Sequence, residues 1–516
     1  MEGRAASPPR RFTGAAVWAL GVVLVGATAA RALEIPEYGL SAQAFFRNRT
    51  GFFLDDAHNF RGDKATLDRF EQSLWFDGKE QFTNDLSVTM RLRFFADNVF
   101  DVQNQRRYWS NSDLAERNLH HTFDLEYNDF LRELYADYNV PMSDQYGKLF
   151  ARLGRQQVAW GKADGFRLLD IINPFDFREP FYPTFEEVRI PLWMLRVDYQ
   201  LPRNIVENGG FQFIWSPLYQ NDTFPPAIVS PWSFRAFDTF QTAVNGLHIP
   251  VRPNLFDDAK IPGLRLENSE AGVRWSHWIK NFGYTLNYYW DWTNLPHARP
   301  ALVPVTPDAP LGLAYINQPD RVHRFGASFD YNFYELPVVK VSNVVLRGEW
   351  LYSKNNVFYG NVQPDGRGHY FRDSSDYVLG IDKIFFGLPY VAPRWNSQTL
   401  ASFQIFQSFL IGYTDGVKAR EGLTNPGGAH LNSVQTSFTF FLQNTSLQSR
   451  LTSELLAFYS VAGEWWFRPR FIYDVSDRIK AEIGAQLFYG HRNDLVGEFA
   501  NKGMQELFVD LRYQFL

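Results

Sequence analysis

The chain ends with the sequence Leu507-Phe508-Val509-Asp510-Leu511-Arg512-Tyr513-Gln514-Phe515-Leu516. From position 509 to 515, apolar side chains at odd positions alternate with polar side chains at even positions. Because successive side chains of a β-strand point to opposite faces, this alternation predicts a strand with one apolar and one polar face. An aromatic residue near the C-terminus is typical of the closing strand of an outer-membrane β-barrel, and the edge strand of a soluble sheet is the alternative.

The N-terminus has the three-part arrangement of a secretory signal peptide. Three arginines precede an apolar run over residues 15–27, which is followed by Ala30-Arg31-Ala32. A transmembrane anchor is the alternative, but the run is shorter than the ~20 residues that a helical span needs. We therefore predict that residues 1–32 are a cleaved signal peptide and that residues 33–516 form the mature, exported domain.

Composition narrows the class of protein further. Removing residues 1–32, which carry four arginines and one glutamate, moves the formal net charge from −5 to −8. A mildly acidic chain argues against nucleic-acid binding. Aromatic residues make up 17% of the chain, which suits the lipid-facing band and the interfacial girdles of a barrel. The sequence contains no cysteine, so disulfides do not stabilise it.

Strict alternation recurs inside the chain, most clearly over residues 86–94, 193–199 and 325–333. In each segment the apolar face is predicted to contact lipid and the polar face to line a water-filled lumen. Weaker segments bring the total to 18 strands, and an even number places both termini in the periplasm. We predict an all-β fold: a single transmembrane antiparallel β-barrel of about 18 strands, within a range of 16–20.

The connections between these strands alternate between long and short, as expected for long extracellular loops and short periplasmic turns. Two connections depart from the rule. One near residues 461–463 is brief where a long loop is due, and one near residues 387–397 is long and contains proline on the short side. At either connection the predicted number of strands could be wrong by one.

The most distinctive sequence lies between residues 149 and 196. It contains Leu153-Gly154-Arg155-Gln156-Gln157, Trp160-Gly161-Lys162-Ala163-Asp164-Gly165, Leu168-Leu169-Asp170-Ile171-Ile172-Asn173-Pro174 and Arg189-Ile190-Pro191-Leu192-Trp193-Met194-Leu195-Arg196. Together with Leu346-Arg347-Gly348-Glu349 and Leu379-Gly380-Ile381-Asp382-Lys383, these residues resemble the domain of unknown function 1302 family of Gram-negative outer-membrane proteins. The resemblance covers nearly the whole mature chain. It implies an outer-membrane barrel of the general kind seen in alginate-export porins, and it brings neither a substrate nor catalytic residues.

Residues 161–190 are the strongest functional candidate, because a barrel of this size is otherwise an open aqueous channel. The run from Leu168 to Ile172 predicts a short helix that ends before Asn173-Pro174. The hypothesis is that this loop folds into the lumen and constricts it, and the alternative is an extracellular lid on the rim. Its charged candidates are Asp164, Arg167, Asp170, Asp176, Arg178 and Glu179.

The polar face of the strands supplies the other candidates for the lumen. They are Arg91, Arg93, Arg152, Gln156, Arg196, Asp198, Arg324, Arg347 and Glu349. Mixed charges on neighbouring strands favour cross-strand ion pairs, and a basic strip that guides an anionic solute is the alternative. Arg155 does not fit, because it falls on the lipid face if Arg152 faces the lumen, unless the strand bulges or ends there.

Enzyme, cofactor and metal motifs are not found in the sequence. It has no Gly-x-Ser-x-Gly, no His-Glu-x-x-His and no phosphate-binding loop, so we expect no catalytic residues and no cofactor. The acidic pairs Asp55-Asp56, Asp97 with Asp101, and Glu186-Glu187 are open to calcium binding on loops, but solvated acids are commoner and a metal-free chain is the default.

Three functions follow in order of preference. The first is an outer-membrane channel for a bulky, weakly polar or anionic solute, and the second is the outer-membrane part of a multi-protein route for lipids or hydrophobic compounds. The third is a sealed structural or enzymatic barrel. The expected partners are outer-membrane lipid, the barrel-assembly machinery through the C-terminal strand, and, for the second function, a periplasmic or inner-membrane transport protein.

Overall fold

The computed structural model of the chain describes residues 33–35, 39–54, 67–98, 130–177, 181, 184–223, 265–294, 297–304, 311–335, 342–360, 369–387, 397–414, 417–420, 432–491, 495–501 and 503–515. The predicted signal peptide lies outside these residues.

Eighteen long antiparallel strands form one closed barrel, which confirms the predicted fold class and strand number. In chain order they are β1 (Leu40–Phe53), β2 (Leu67–Gln81), β3 (Leu86–Asp97), β4 (Leu131–Val140), β5 (Lys148–Gln156), β6 (Leu192–Gln200), β7 (Gly209–Ser216), β8 (Glu270–Ile279), β9 (Phe282–Trp292), β10 (Arg321–Glu335), β11 (Ser342–Gly360), β12 (His369–Phe386), β13 (Gln398–Ile411), β14 (Val434–Ser446), β15 (Leu451–Ser460), β16 (Glu464–Asp474), β17 (Ile479–Tyr489) and β18 (Glu506–Gln514).

Each strand pairs with its sequence neighbours, and the barrel closes where β18 pairs with β1. In that register Phe45 lies opposite Gln514, and Phe53 lies opposite Glu506. The alternation seen in the sequence sorts the two faces of β18, because Leu511 is 48% exposed whereas Asp510 is 5% exposed. The apolar face of the wall is therefore its outer surface, and the polar face points inward.

Some short strands escaped the sequence-based prediction. A hairpin of His297–Pro304 with Leu311–Gln318 lies in what was predicted as a long loop. Its first strand contains Pro300 and Pro304, and proline in a run disfavours a strand assignment. Two further short strands, Leu33–Ile35 and Val417–Arg420, pair with β1 and with the end of β11.

Other strand boundaries and connections refine the prediction. One of the weaker segments in the sequence predicts a strand that starts near Asp376, but this strand, β12, already begins at His369. The brief connection at 461–463 is a turn between β15 and β16, which pair directly. On either side of the longer connection, β12 and β13 also pair directly, so no wall strand lies between them.

Helix is scarce in the described residues. A single turn, α1 (Phe185–Val188), lies between β5 and β6, and α2 (Leu495–Asn501) lies between β17 and β18. Among the helices that the structure describes, none has the length and apolar character of a membrane span.

Candidate functional site

Residues 157–191 join β5 to β6, and we call them the inner segment; the described ones run along the inner faces of many strands. Of these residues, 178–180, 182 and 183 are outside the described part. The helix predicted over Leu168–Ile172 was wrong, because these residues form bends. The Leu169 amide instead donates to a glutamate on the wall, and the Ile171 amide donates to the Leu169 carbonyl at 3.0 Å.

Glu349 of β11 is the wall residue that holds this part of the inner segment. Its carboxylate accepts hydrogen bonds from the backbone amides of Lys162 and, at 3.1 Å, of Leu169. Glu349 is buried, so both N–H groups have a charged acceptor away from water. The Lys162 ammonium also contacts Asp330 of β10.

Arg347, two residues before Glu349, extends the same contact. Its guanidinium contacts the Asp164 carboxylate and the Lys162 carbonyl of the inner segment, and it pairs with Asp382 of β12 at 2.9 Å. Gln404 of β13 donates to Asp164 at 2.8 Å. Polar side chains of β10, β11 and β13 thus bind one stretch of the inner segment. A small cleft with an empty volume of about 250 Å³ lies at this contact.

Trp160 fixes the start of the inner segment against the neighbouring strands β7 to β9. Its indole N–H donates to Gln212 of β7 at 2.7 Å, and its ring meets the edge of Tyr289 at 6.0 Å between centroids. Gly272 of β8 permits this approach, because a Cβ there would lie 2.9 Å from the Trp160 ring and 2.6 Å from Tyr289. A larger residue at position 272 would therefore displace the tryptophan.

Asn173 joins the two ends of the inner segment. Its side-chain oxygen accepts the Val158 amide at 2.8 Å, and its side-chain nitrogen donates to the carbonyls of Ile190 at 2.9 Å and Gln156 at 3.3 Å. The Ile190 amide in turn donates to the Pro174 carbonyl at 2.7 Å. The Asn173-Pro174 pair, predicted as a helix stop, therefore acts as a clamp.

Aromatic residues seat the middle of the inner segment against strands β13 to β17. The Phe166 ring lies 4.7 Å from that of Phe458. Phe181 lies 4.9 Å from Trp466, 5.0 Å from Phe488 and 5.0 Å from Phe499 of α2. All of these rings are buried, so the packing stabilises the segment through apolar contact rather than charge.

Two buried carboxylates pair with arginines within the loops. Asp170 binds Arg189 at 2.6 Å, and Asp222 binds Arg167 at 3.2 Å while it also accepts the Phe175 amide at 2.6 Å. Burial raises the pKa of Asp170 above its ordinary value of 3.8, against the opposing effect of the Arg189 charge. Burial likewise raises the pKa of Asp222, opposed by Arg167.

The far end of the inner segment carries Glu186 and Glu187 on α1. Glu186 binds Arg91 at 2.6 Å, and Glu187 binds both Arg47 at 3.0 Å and Arg49 at 2.8 Å. The sequence left this acidic pair open to calcium, but its partners here are arginines of the wall. Within the ranges that the structure describes, no three His, Asp or Glu side chains are grouped as a metal site.

Most of the predicted wall arginines form ion pairs with acids on the same or a neighbouring strand. Arg91 binds Asp77 at 2.8 Å, Arg152 binds Asp137 at 2.6 Å, Arg196 binds Asp198 at 2.7 Å, and Arg324 binds Asp291 at 2.8 Å. Arg93 lies over the Trp75 ring at 5.5 Å. The wall is thus a set of ion-paired ladders rather than a ring of one charge.

Of the predicted candidates, the fold groups two sets. Arg347, Glu349 and Asp164 come together where β11 binds the inner segment. Arg152 and Arg196 lie directly opposite each other on β5 and β6. Arg324 pairs with Asp291 of β9.

The other motif residues have structural positions. Gln156 is fully buried and donates to the Met194 carbonyl at 3.0 Å, and Trp193 is 42% exposed on the outer face. Arg155 is only 4% exposed, and the Gly154 backbone before it has a φ of 139°, so the alternation breaks at the end of β5. Gly161 and Pro191 flank the two ends of the segment, and Asp176 donates its amide to the Val188 carbonyl at 2.8 Å. Arg178 lies outside the described residues.

The fold defines a class of protein: a closed antiparallel β-barrel with 18 long strands. The chain belongs to the family described as "Protein of unknown function (DUF1302)", whose match covers residues 28–514, and this confirms the resemblance seen in the sequence. No curated protein matches the chain.

Among solved structures, the barrel is similar to Acinetobacter baumannii OccAB3, with 9% identity, a TM-score of 0.45 and coverage of 92% of this chain and 98% of that one. It is also similar to Salmonella typhi OmpF, solved in a complex with daunomycin, with 10% identity, a TM-score of 0.40 and coverage of 93% and 100%.

Proposed function

We propose that this protein is a porin-like channel of the outer membrane, and that a bulky, weakly polar or anionic solute crosses its lumen past the inner segment. The proposal includes export through a cleaved signal peptide, insertion by the barrel-assembly machinery through β18, and contact of the apolar outer face with lipid. It assigns no catalytic role to any residue.

The observation that carries this proposal is the contrast between the wall and the inner segment. The wall presents ion-paired polar side chains inward, which suit water and polar solutes. The inner segment contacts strands around that wall, among them β1 through Glu187, β7 through Trp160, β11 through Leu169 and β17 through Phe181. A segment bound on so many sides of a barrel narrows the space through which a solute passes.

Single-channel conductance in a planar bilayer tests the proposal. Refolded residues 33–516 are compared with a variant in which residues 161–190 are replaced by a short linker. We expect weak conductance from the full chain and a large increase after shortening. If the shortened chain fails to fold, Trp160→Ala loosens the same segment with a smaller change. Equal conductance of the full and the loosened barrels would contradict the constriction.

A second function is favoured by how completely the inner segment is packed. Leu169, Trp160 and Phe175 are almost wholly buried, which suits a barrel that stays closed until a partner acts. In that case a periplasmic or inner-membrane protein delivers a lipid or hydrophobic compound. Co-purification of a stable periplasmic partner, together with no conductance from either the full or the shortened barrel, would select this function over the channel.

A further inference from the structure

Four arginines converge on one patch of the inner wall where the inner segment reaches strands β1, β3 and β4. We call Arg47, Arg49, Arg91 and Arg132 the arginine cluster. Each contacts the turn that contains Glu186 and Glu187. Only Arg91 was singled out from the sequence, because the other three become neighbours only through strand pairing.

The arginine cluster recognises this turn in the manner of a ligand. The two oxygens of the Glu187 carboxylate bind two different guanidinium groups, at 3.0 Å from Arg47 and 2.8 Å from Arg49. The Glu186 carboxylate binds Arg91 at 2.6 Å. Arg132 donates to the main-chain carbonyls of residues 187 and 189, at 2.9 and 2.7 Å. The cluster therefore binds two adjacent carboxylates through directed donors.

The arginines are also held from behind by acids of the wall. Asp510 accepts from the Nε atoms of both Arg47 and Arg49, the latter at 3.1 Å, and Asp77 accepts from Arg91 Nε at 2.8 Å. One terminal nitrogen of each arginine binds the inner segment, while the other terminal nitrogen of Arg49 lies 3.9 Å from Glu71 of β2. Because a guanidinium has five donors in a rigid fork, these arginines keep their orientation when the Glu186 and Glu187 carboxylates leave.

The contact is exposed on one side. The Glu186 side chain is 66% exposed although it binds Arg91, whereas the Glu187 side chain is 17% exposed. An ion pair in contact with water is weak and exchanges readily. A dissolved carboxylate therefore meets the Glu186 contact first and the Glu187 contact second.

We propose that the arginine cluster is a binding site for solutes that carry two or more carboxylate groups, and that Glu186 and Glu187 occupy it as an internal competitor. A dicarboxylate displaces these two side chains and takes their places on Arg91, Arg47 and Arg49. The transport role of the site rests on the proposed channel function, but the binding itself does not.

Isothermal titration of succinate into the refolded barrel in a zwitterionic detergent tests this proposal. Succinamide is the uncharged match of the probe. The variant Glu186→Gln/Glu187→Gln removes the competitor, and we expect it to bind succinate about tenfold more tightly than the unmodified barrel, with no gain for succinamide. Adding Arg91→Gln to this variant is expected to abolish the gain.

The matched control is Asp144→Asn/Glu267→Gln, which removes the same charge from two exposed residues away from the arginine cluster. We expect it to bind succinate as the unmodified barrel does. The proposal would be overturned if the unmodified barrel, the Glu186→Gln/Glu187→Gln variant and the control bound succinate with equal affinity. It would also be overturned if succinamide bound as tightly as succinate. Tighter binding without any conductance would reject the channel and keep the site, and conductance without tighter binding would do the reverse.

Discussion

The inner segment is bound to the wall at two places by different means. Near its start, buried groups hold it: the Trp160 ring packs beside Tyr289, and Glu349 accepts two backbone amides. Near its end, the charged side chains of Glu186 and Glu187 meet arginines, and one of these contacts is open to water. We expect the buried contacts near Trp160 to persist and the charged contacts of Glu186 and Glu187 to exchange with water and solutes. If the barrel has a gate, α1 is therefore the part that would move.

The largest effect is expected for Trp160→Ala. This change removes a fully buried indole and its hydrogen bond to Gln212, so we expect the free energy of unfolding in urea to fall by about 3–5 kcal/mol. Trp193→Ala, on the outer face, is the matched control and should cost much less. Equal losses for the two variants would contradict the assignment of Trp160 as the main anchor.

A smaller loss is expected for Glu349→Ala. The change leaves the buried Leu169 amide without its acceptor, at about 1–3 kcal/mol, and the Lys162 amide, which is only partly buried, adds less. Urea unfolding measures the loss, and limited proteolysis within residues 161–190 reports whether the segment has come loose. Glu349→Gln keeps one acceptor oxygen, so its free energy of unfolding should lie between those of the unmodified barrel and Glu349→Ala. A proteolysis pattern unchanged by Glu349→Ala would show that the anchor lies elsewhere.

The pH dependence of stability probes the buried middle of the inner segment. Because burial raises the pKa of Asp170 in the folded protein, the folded state holds the proton more tightly than the unfolded chain does. This contribution is complete below pH ~3.9 and is lost as the pH rises through the raised pKa.

Compared with Asp170→Asn, the unmodified protein should therefore lose thermal stability as the pH rises above about 4. Thermal unfolding of both proteins over a pH series measures this difference. A gain of stability relative to the variant as the pH rises would contradict the raised pKa.

The smallest effect on stability is expected for Glu186→Gln. Its ion pair with Arg91 is largely exposed, and such pairs contribute about 0–1 kcal/mol. Urea unfolding should barely separate the variant from the unmodified barrel. A loss as large as that of Glu349→Ala would erase the distinction between the two regions.

The strands of the wall could be predicted from the sequence because the alternation that defines a strand involves only neighbouring residues. Alternation over a few residues, as at positions 509–515, fixed which face points outward and gave the number of strands. It failed at His297–Pro304, where two prolines interrupt the pattern, and at Leu168–Ile172, where an apolar run without partners was read as a helix.

The inner segment was only partly predictable because its partners are distant in sequence. Asp164 and Arg347 were both singled out, yet they are 183 positions apart and no local pattern joins them. Glu186 and Glu187 were read as solvated loop acids or a calcium site, since Arg47 and Arg49 come near only after the barrel closes. The residue types were visible in the sequence, whereas their pairing required the fold.

The Asn173 clamp sets an order for assembly. Its bond to the Val158 amide closes only 15 residues of chain, whereas the contact of Glu187 with Arg47 spans 140 and that of Phe181 with Gln486 spans 305. Short loops close sooner and at lower entropic cost than long ones. We expect the Asn173 contacts to form as soon as β5 and β6 pair. The last strands then pair around an inner segment whose two ends are already joined.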